Sequence, residues 1–133
     1  MSVGALFDLA KAAQAKAYAP YSHFPVGAAL RAADGRLFSG CNVENAAYPL
    51  GLCAEASAIA AMVSAGARRI EAILVLGPGR DKITPCGACR QRIAEFSDDK
   101  TLIYCADGDG GHAAFSLDDL LPHSFGPAAL RGA

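Results

Sequence analysis

The chain has no excess of charge of either sign. In 133 residues, 12 Lys and Arg stand against 13 Asp and Glu, for a formal net charge of −1. Binding driven by phosphate contacts needs clustered Lys and Arg, so the balance argues against a nucleic-acid partner. No apolar run approaches the roughly 18 residues needed to span a bilayer, which argues against an integral membrane protein. Residues 1–8 carry no basic stretch followed by an apolar block, so nothing there reads as a secretion signal and the expected location is the cytoplasm. Linkers, low-complexity segments and repeats are also missing. The five cysteines are an odd number without an export signal. A disulfide framework is therefore not expected, and metal or redox chemistry is the stronger reading.

What is present is apolar: 53% of residues are hydrophobic, which excludes disorder. The length suits one domain, residues 1–133. Much of the apolar fraction is alanine, which buries little area, so metal binding or self-association is a natural supplement to the core. Residues 5–19 lack glycine, proline and β-branched side chains and repeat apolar positions at helical spacing, with Pro20 ending the helix. Residues 26–33 and 36–43 read as strands joined by a turn at Ala33-Asp34-Gly35. Residues 53–65 read as a second helix closed by Gly66. Residues 70–77 are apolar apart from Glu71, a run typical of a strand covered on both faces. A third helix is expected over 86–96, strands over 101–106 and 112–117, one helical turn over 118–121, and no regular structure in the tail from about 122 to 133. This order predicts a three-layer α/β fold around a mixed sheet.

The chemistry concentrates in Cys53-Ala54-Glu55 and Pro85-Cys86-Gly87-Ala88-Cys89. A Cys-x-x-Cys pair at a helix start can turn two sulfurs toward one tetrahedral zinc. Cys53 opens another predicted helix, where free N–H groups and the macrodipole favour thiolate. Two such helix starts meeting over one ion would supply three thiolates and leave a fourth position open, as catalytic zinc sites do. Glu55, two residues beyond a ligand, could then move a proton to and from the metal's water.

Cys-x-Glu followed some thirty residues on by Pro-Cys-x-x-Cys resembles the signature of the zinc nucleoside and nucleobase deaminases. The residues Tyr21-Ser22-His23-Phe24-Pro25-Val26-Gly27-Ala28-Ala29-Leu30 and Gly40-Cys41-Asn42-Val43-Glu44-Asn45-Ala46-Ala47-Tyr48 resemble two further signatures of the small homotetrameric cytidine deaminases. The resemblance runs over nearly the whole chain. It implies an α/β/α fold, with helices on both faces of a five-stranded mixed sheet. The implied activity is zinc-dependent hydrolysis of cytidine and 2′-deoxycytidine to uridine and 2′-deoxyuridine plus ammonia, a reaction of pyrimidine salvage. Cys53, Cys86 and Cys89 would hold Zn²⁺, and Glu55 would carry the proton to N3 and then to the leaving amine. Phe24 would stack on the pyrimidine, and Asn42 and Glu44 would bind the ribose hydroxyls. Asn45 belongs to the same substrate-binding segment, and backbone groups of Ala54 and of Pro85 to Cys86 would read the base edge. Ala46 and Tyr48 would help complete a neighbouring subunit's site within a homotetramer. Phe125 resembles a late aromatic that closes over the base.

The short members of that family usually carry arginine after the glutamate, where this chain has Ala56. Helix N-termini together with Arg90 or Arg92 are the expected substitutes in offsetting the thiolate charge. Competing readings of the cysteines are a structural four-cysteine site, with Cys41 or Cys105 as the fourth ligand, and a redox pair. Cys41 and Cys105 otherwise read as small buried strand residues, and Arg68-Arg69 as a solvated helix end. Within zinc deaminases, the rivals are an enzyme for another aminopyrimidine nucleoside, such as a nucleoside antibiotic, and a polynucleotide deaminase. Outside them, a non-catalytic zinc-stapled interaction domain would have no use for Glu55.

Overall fold

The computed structural model describes residues 3–131. Helix α1 (Val3–Gln14) is followed by strands β1 (Gly27–Ala32) and β2 (Leu37–Cys41) and helix α2 (Ala54–Ser64). Strand β3 (Ile70–Leu76), helix α3 (Gly87–Glu95) and strands β4 (Leu102–Ala106) and β5 (His112–Phe115) come next, then two single-turn helices, α4 (Leu117–Leu120) and α5 (Pro127–Leu130). The strands form one sheet in the order β2-β1-β3-β4-β5. Strands β3 and β4 run parallel, and the other neighbours are antiparallel.

Strand periodicity distributes the side chains between two cores. Ala28, Leu30 and Ala32 of β1 face one side, where they meet Ala54, Ala58, Ile59 and Met62 of α2 and Ile93 of α3. Ala29 faces the other side with Leu6 and Ala10 of α1. Strand β3 is central: Ile73 and Val75 enter the first core, and Ala72, Leu74 and Leu76 the second. The unbroken apolar run of residues 72–76 is thus explained by burial on both faces, while Glu71 at the strand's start is exposed. The result is the expected three-layer arrangement, with α1 on one face and α2 and α3 on the other.

The β1–β2 hairpin turns where the sequence predicts. The Asp34 carboxylate accepts from the Arg36 N–H at 3.0 Å, and Gly35 takes φ 91°, a region costly for any residue with a Cβ. At Gly40 on β2, a Cβ would lie 2.5 Å from the Ala58 nitrogen and 2.8 Å from the Ala54 carbonyl oxygen. The missing side chain therefore lets the first turns of α2 lie directly on the sheet.

Several expectations need correction. The first helix ends at Gln14 rather than near residue 19. Tyr18 is instead drawn into an extended bridge: its N–H donates to the Asn42 carbonyl at 3.0 Å, and its carbonyl accepts from the Glu44 N–H at 2.9 Å. The tail is not wholly irregular, because Pro127, with its preset φ, starts the α5 turn. Cys105 is buried as expected, but Cys41 is only half-buried at the sheet's edge strand. Arg68 is more than a solvated residue: its guanidinium donates to the Val63 and Ala67 carbonyls and caps α2. The expectation of one domain covers 1–133; Met1, Ser2, Gly132 and Ala133 lie outside the described residues.

Candidate metal centre and substrate cleft

Two helix N-termini converge at the site. Cys53 is the N-cap of α2 and Cys86 the N-cap of α3, both with extended backbone and neither with its side chain engaged in capping. Cys89 follows one turn into α3 and is fully buried. The Cys53 and Cys86 sulfurs are 3.9 Å apart, and all three Sγ atoms lie within 4.8 Å of one another. Among the described residues this is the cluster of ligand-type side chains able to hold a metal ion, and neither Cys41 nor Cys105 belongs to it. Three sulfurs at this spacing, on two converging helix ends, fit a tetrahedral zinc.

Without a metal the three thiols differ. Burial pushes Cys53 up, despite a hydrogen bond with Cys89. Burial also pushes Cys89 far above the usual thiol range, with the nearby Glu55 carboxylate and Cys53 adding to the effect. At Cys86 burial is outweighed by the Cys89 backbone N–H and the Cys53 and Cys89 thiols, which hold it below its ordinary value.

Glu55 is the second residue of α2 and only 4% exposed. Burial raises its carboxyl above the ordinary carboxylate value, against the lowering pull of its own backbone N–H, the Cys89 thiol and the Arg92 charge. A buried carboxyl beside three sulfurs, with its proton held more tightly than usual, suits a group that must alternately take up and release a proton.

The two arginines separate cleanly. Arg92 donates from Nη1 to Cys89 Sγ at 3.6 Å. Arg90 does not reach sulfur: Nε donates to the Pro85 carbonyl at 2.7 Å, Nη1 to the Leu120 carbonyl at 2.8 Å, and Nη2 to Thr84 Oγ1 at 3.0 Å. It ties the segment before Cys86 to the end of α4.

A cleft of about 380 Å³ opens beside the sulfurs, lined in part by Asn42, Glu44, Cys53, Ala54, Glu55 and Cys86. A second, of about 370 Å³, adjoins it through Glu44 and Gly51 and takes in Asn45 and Tyr48. Phe24, Ala46 and Phe125 line neither. Phe24 is 42% exposed and Phe125 60% exposed, the latter's carbonyl held by Gln91 Nε2 at 2.9 Å. Asn42 and Glu44 both hold the preceding loop as well. Asn42 Oδ1 accepts from the Val26 N–H and Nδ2 donates to the Phe24 carbonyl. Glu44 accepts from the Tyr21 and Ser22 N–H groups and closely from the Ser22 hydroxyl, which holds its carboxyl below the usual range even against partial burial. Sequence reasoning missed Ile83 and Thr84 as cleft walls. Ile83 is an isolated apolar residue in an irregular segment, and its contact with the bare backbone of Gly77 leaves no periodic signal.

The model of the cytidine and deoxycytidylate deaminase zinc-binding region matches residues 2–106. A cytidine deaminase of Sporosarcina psychrophila is 43% identical over 125 residues, covering 94% of this chain and 92% of that one. One from Mycobacterium tuberculosis H37Rv is 43% identical over 114 residues, covering 86% and 82% respectively. Among solved structures, the crystal structure of cytidine deaminase from Burkholderia pseudomallei superposes with a TM-score of 0.89 at 46% identity, covering 94% of this chain and 100% of that one. The Mycobacterium tuberculosis cytidine deaminase structure gives a TM-score of 0.82 at 39% identity, covering 95% of this chain and 98% of that one.

Proposed function

The chain belongs to the cytidine and deoxycytidylate deaminase family with its zinc-binding region, and from that premise we propose that it hydrolyses cytidine and 2′-deoxycytidine to the corresponding uridines and ammonia. The carrying observation is the juxtaposition of three sulfurs within 4.8 Å of one another and the buried Glu55 carboxyl on the wall of one cleft. Cys53, Cys86 and Cys89 would hold the zinc, which when bound supplies the Lewis acidity that makes water nucleophilic near neutral pH. Glu55 accepts a proton from the attacking water and passes it to ring N3, so that C4 becomes electrophilic. It then takes the remaining proton from the hydroxyl added at C4 and delivers it to the exocyclic nitrogen, which departs as ammonia while the oxygen stays on C4 as a carbonyl. The overall change is one water consumed and one ammonia released.

Asn42 and Glu44 orient the ribose with the hydrogen-bonding capacity left after they hold the Phe24 loop. The backbone of Ala54 and of Pro85 to Cys86 reads the base edge. Phe24 and Phe125 cover the pyrimidine face, and Asn45, Ala46 and Tyr48 complete the site of a neighbouring copy in a homotetramer. In support of self-association, Tyr48 is 75% exposed and Leu50 67% exposed, with Tyr18, Val43 and Leu52 half-exposed nearby. A single domain acting in the cytoplasm on free nucleosides completes the reading.

Ultraviolet-monitored turnover of cytidine, 2′-deoxycytidine, bulkier aminopyrimidine nucleosides and single-stranded oligonucleotide, with zinc content and molar mass measured on the same sample, tests it. Stoichiometric zinc, a tetrameric mass and turnover of the two small nucleosides are expected. Turnover confined to the bulky nucleosides or the oligonucleotide would transfer the site to that substrate.

A further inference from the structure

Three thiolates around a divalent cation leave the centre with one net negative charge, and the nearby Glu55 adds to it when ionised. Donors close to the sulfurs favour the thiolate form that binds the metal and tune its affinity. The residue following Glu55 is the neutral Ala56. Each of the three Arg90 guanidinium nitrogens donates elsewhere, to Pro85, Leu120 and Thr84, and Lys82 pairs with Asp107 at 3.3 Å. Among the described residues, the guanidinium that donates to a sulfur of the group is that of Arg92.

Its placement follows from helix geometry. Cys89 and Arg92 are three residues apart on α3, the spacing at which side chains share a helix face. Cys89 is fully buried, so its sulfur can be approached only through its immediate packing shell. The Arg92 residue is exposed and keeps much of its hydration while Nη1 reaches inward to Sγ at 3.6 Å. The planar fork lets one N–H serve sulfur while the remaining donors face water.

We propose that Arg92 is a positioning residue of the metal centre, its hydrogen bond and charge at Cys89 Sγ offsetting the negative charge of the three-sulfur ligand set. The inference rests on the zinc-deaminase reading above. The role is electrostatic and acts through Cys89; Arg92 itself need touch neither substrate nor reacting atoms. Ligand-supporting groups of this kind change metal affinity by roughly 10- to 100-fold when removed.

The test uses R92K and R92M beside the parent protein. Zinc affinity is measured by competition with a chromogenic chelator, and the cobalt-substituted proteins are compared by the energy of their thiolate-to-metal charge-transfer absorption. R92M should bind zinc about 10- to 100-fold more weakly and shift the cobalt band to lower energy, because a sulfur relieved of a hydrogen bond donates more readily. R92K should fall between R92M and the parent. Thermal unfolding at saturating zinc separates these effects from loss of fold; if R92M does not fold, the R92K shift decides alone. Parent-like affinity and cobalt spectrum in R92M would overturn the proposal, as would equal losses in R92K and R92M, which would assign the effect to packing. A parent protein that binds no zinc would instead overturn the deaminase reading itself.

Discussion

Asn42 grips the Phe24 carbonyl with its side-chain NH₂ at 2.9 Å and at the same time accepts from the Val26 N–H at 2.9 Å. One amide thus fixes two backbone groups on either side of Pro25 and sets the direction in which Phe24 leaves the loop. The positive φ of 55° at His23 makes this loop one that needs outside support. N42A removes both bonds. Exchange of the Val26 amide should accelerate, and kcat/KM for cytidine should fall roughly 5- to 150-fold, equivalent to about 1–3 kcal/mol for unmet polar groups. Unchanged exchange at Val26 would show that the loop holds itself.

Replacing Glu55 by Gln keeps the volume and removes the proton acceptor. Turnover should drop by about a hundred- to ten-thousandfold, while zinc stays bound to the three sulfurs. Near-parental turnover in E55Q would exclude Glu55 from the chemistry.

The fit of α2 over Gly40 predicts a large cost for a single methyl group. In G40A the new carbon would meet the Ala58 nitrogen at 2.5 Å and the Ala54 carbonyl oxygen at 2.8 Å, both helix backbone, so no side-chain shift can make room. Urea denaturation should show destabilisation of about 1–3 kcal/mol. Because the same helix carries Glu55 and is capped by Cys53, turnover should also suffer in the molecules that remain folded. A parental midpoint would mean that α2 can lift off the sheet freely.

Cys105 gives a pH signature in stability. Burial, aided by the Glu55 charge and opposed by Arg90, pushes its thiol from 9.0 up to about 11. The native state therefore keeps this proton over a range in which the unfolded chain loses it. The contribution to stability is full below pH 9 and is lost as pH rises through about 11. Stability curves of C105A and the parent should converge across that window, and a constant gap would contradict the shift.

Much of the framework was legible because strong local signals agreed with the tertiary outcome. Strand β3 announced its burial by the apolar run of residues 72–76, and Asp34-Gly35 announced the hairpin. The cysteines and Glu55 were legible because few other chemistries need that spacing. Long-range backbone bridges left no comparable trace. The Tyr18 bridge to Asn42 and Glu44 shortens α1 against a sequence that favours helix to residue 19. The choice between Arg90 and Arg92 was equally hidden, since it turns on which carbonyls the α4 end and the segment around Pro85 present to Arg90.

The co-directional pairing of β3 and β4 has a consequence for the origin of the site. Helix α2 leads into β3 and α3 leads into β4, so each helix carries the chain back across the sheet to where its strand starts, and both begin at the same rim. Adjacency of the two cysteine-bearing caps is therefore a product of chain topology, obtained before any side chain is chosen. Had these neighbours run in opposite senses, the same motifs would have been stranded at opposite rims, and no local substitution could have reunited them.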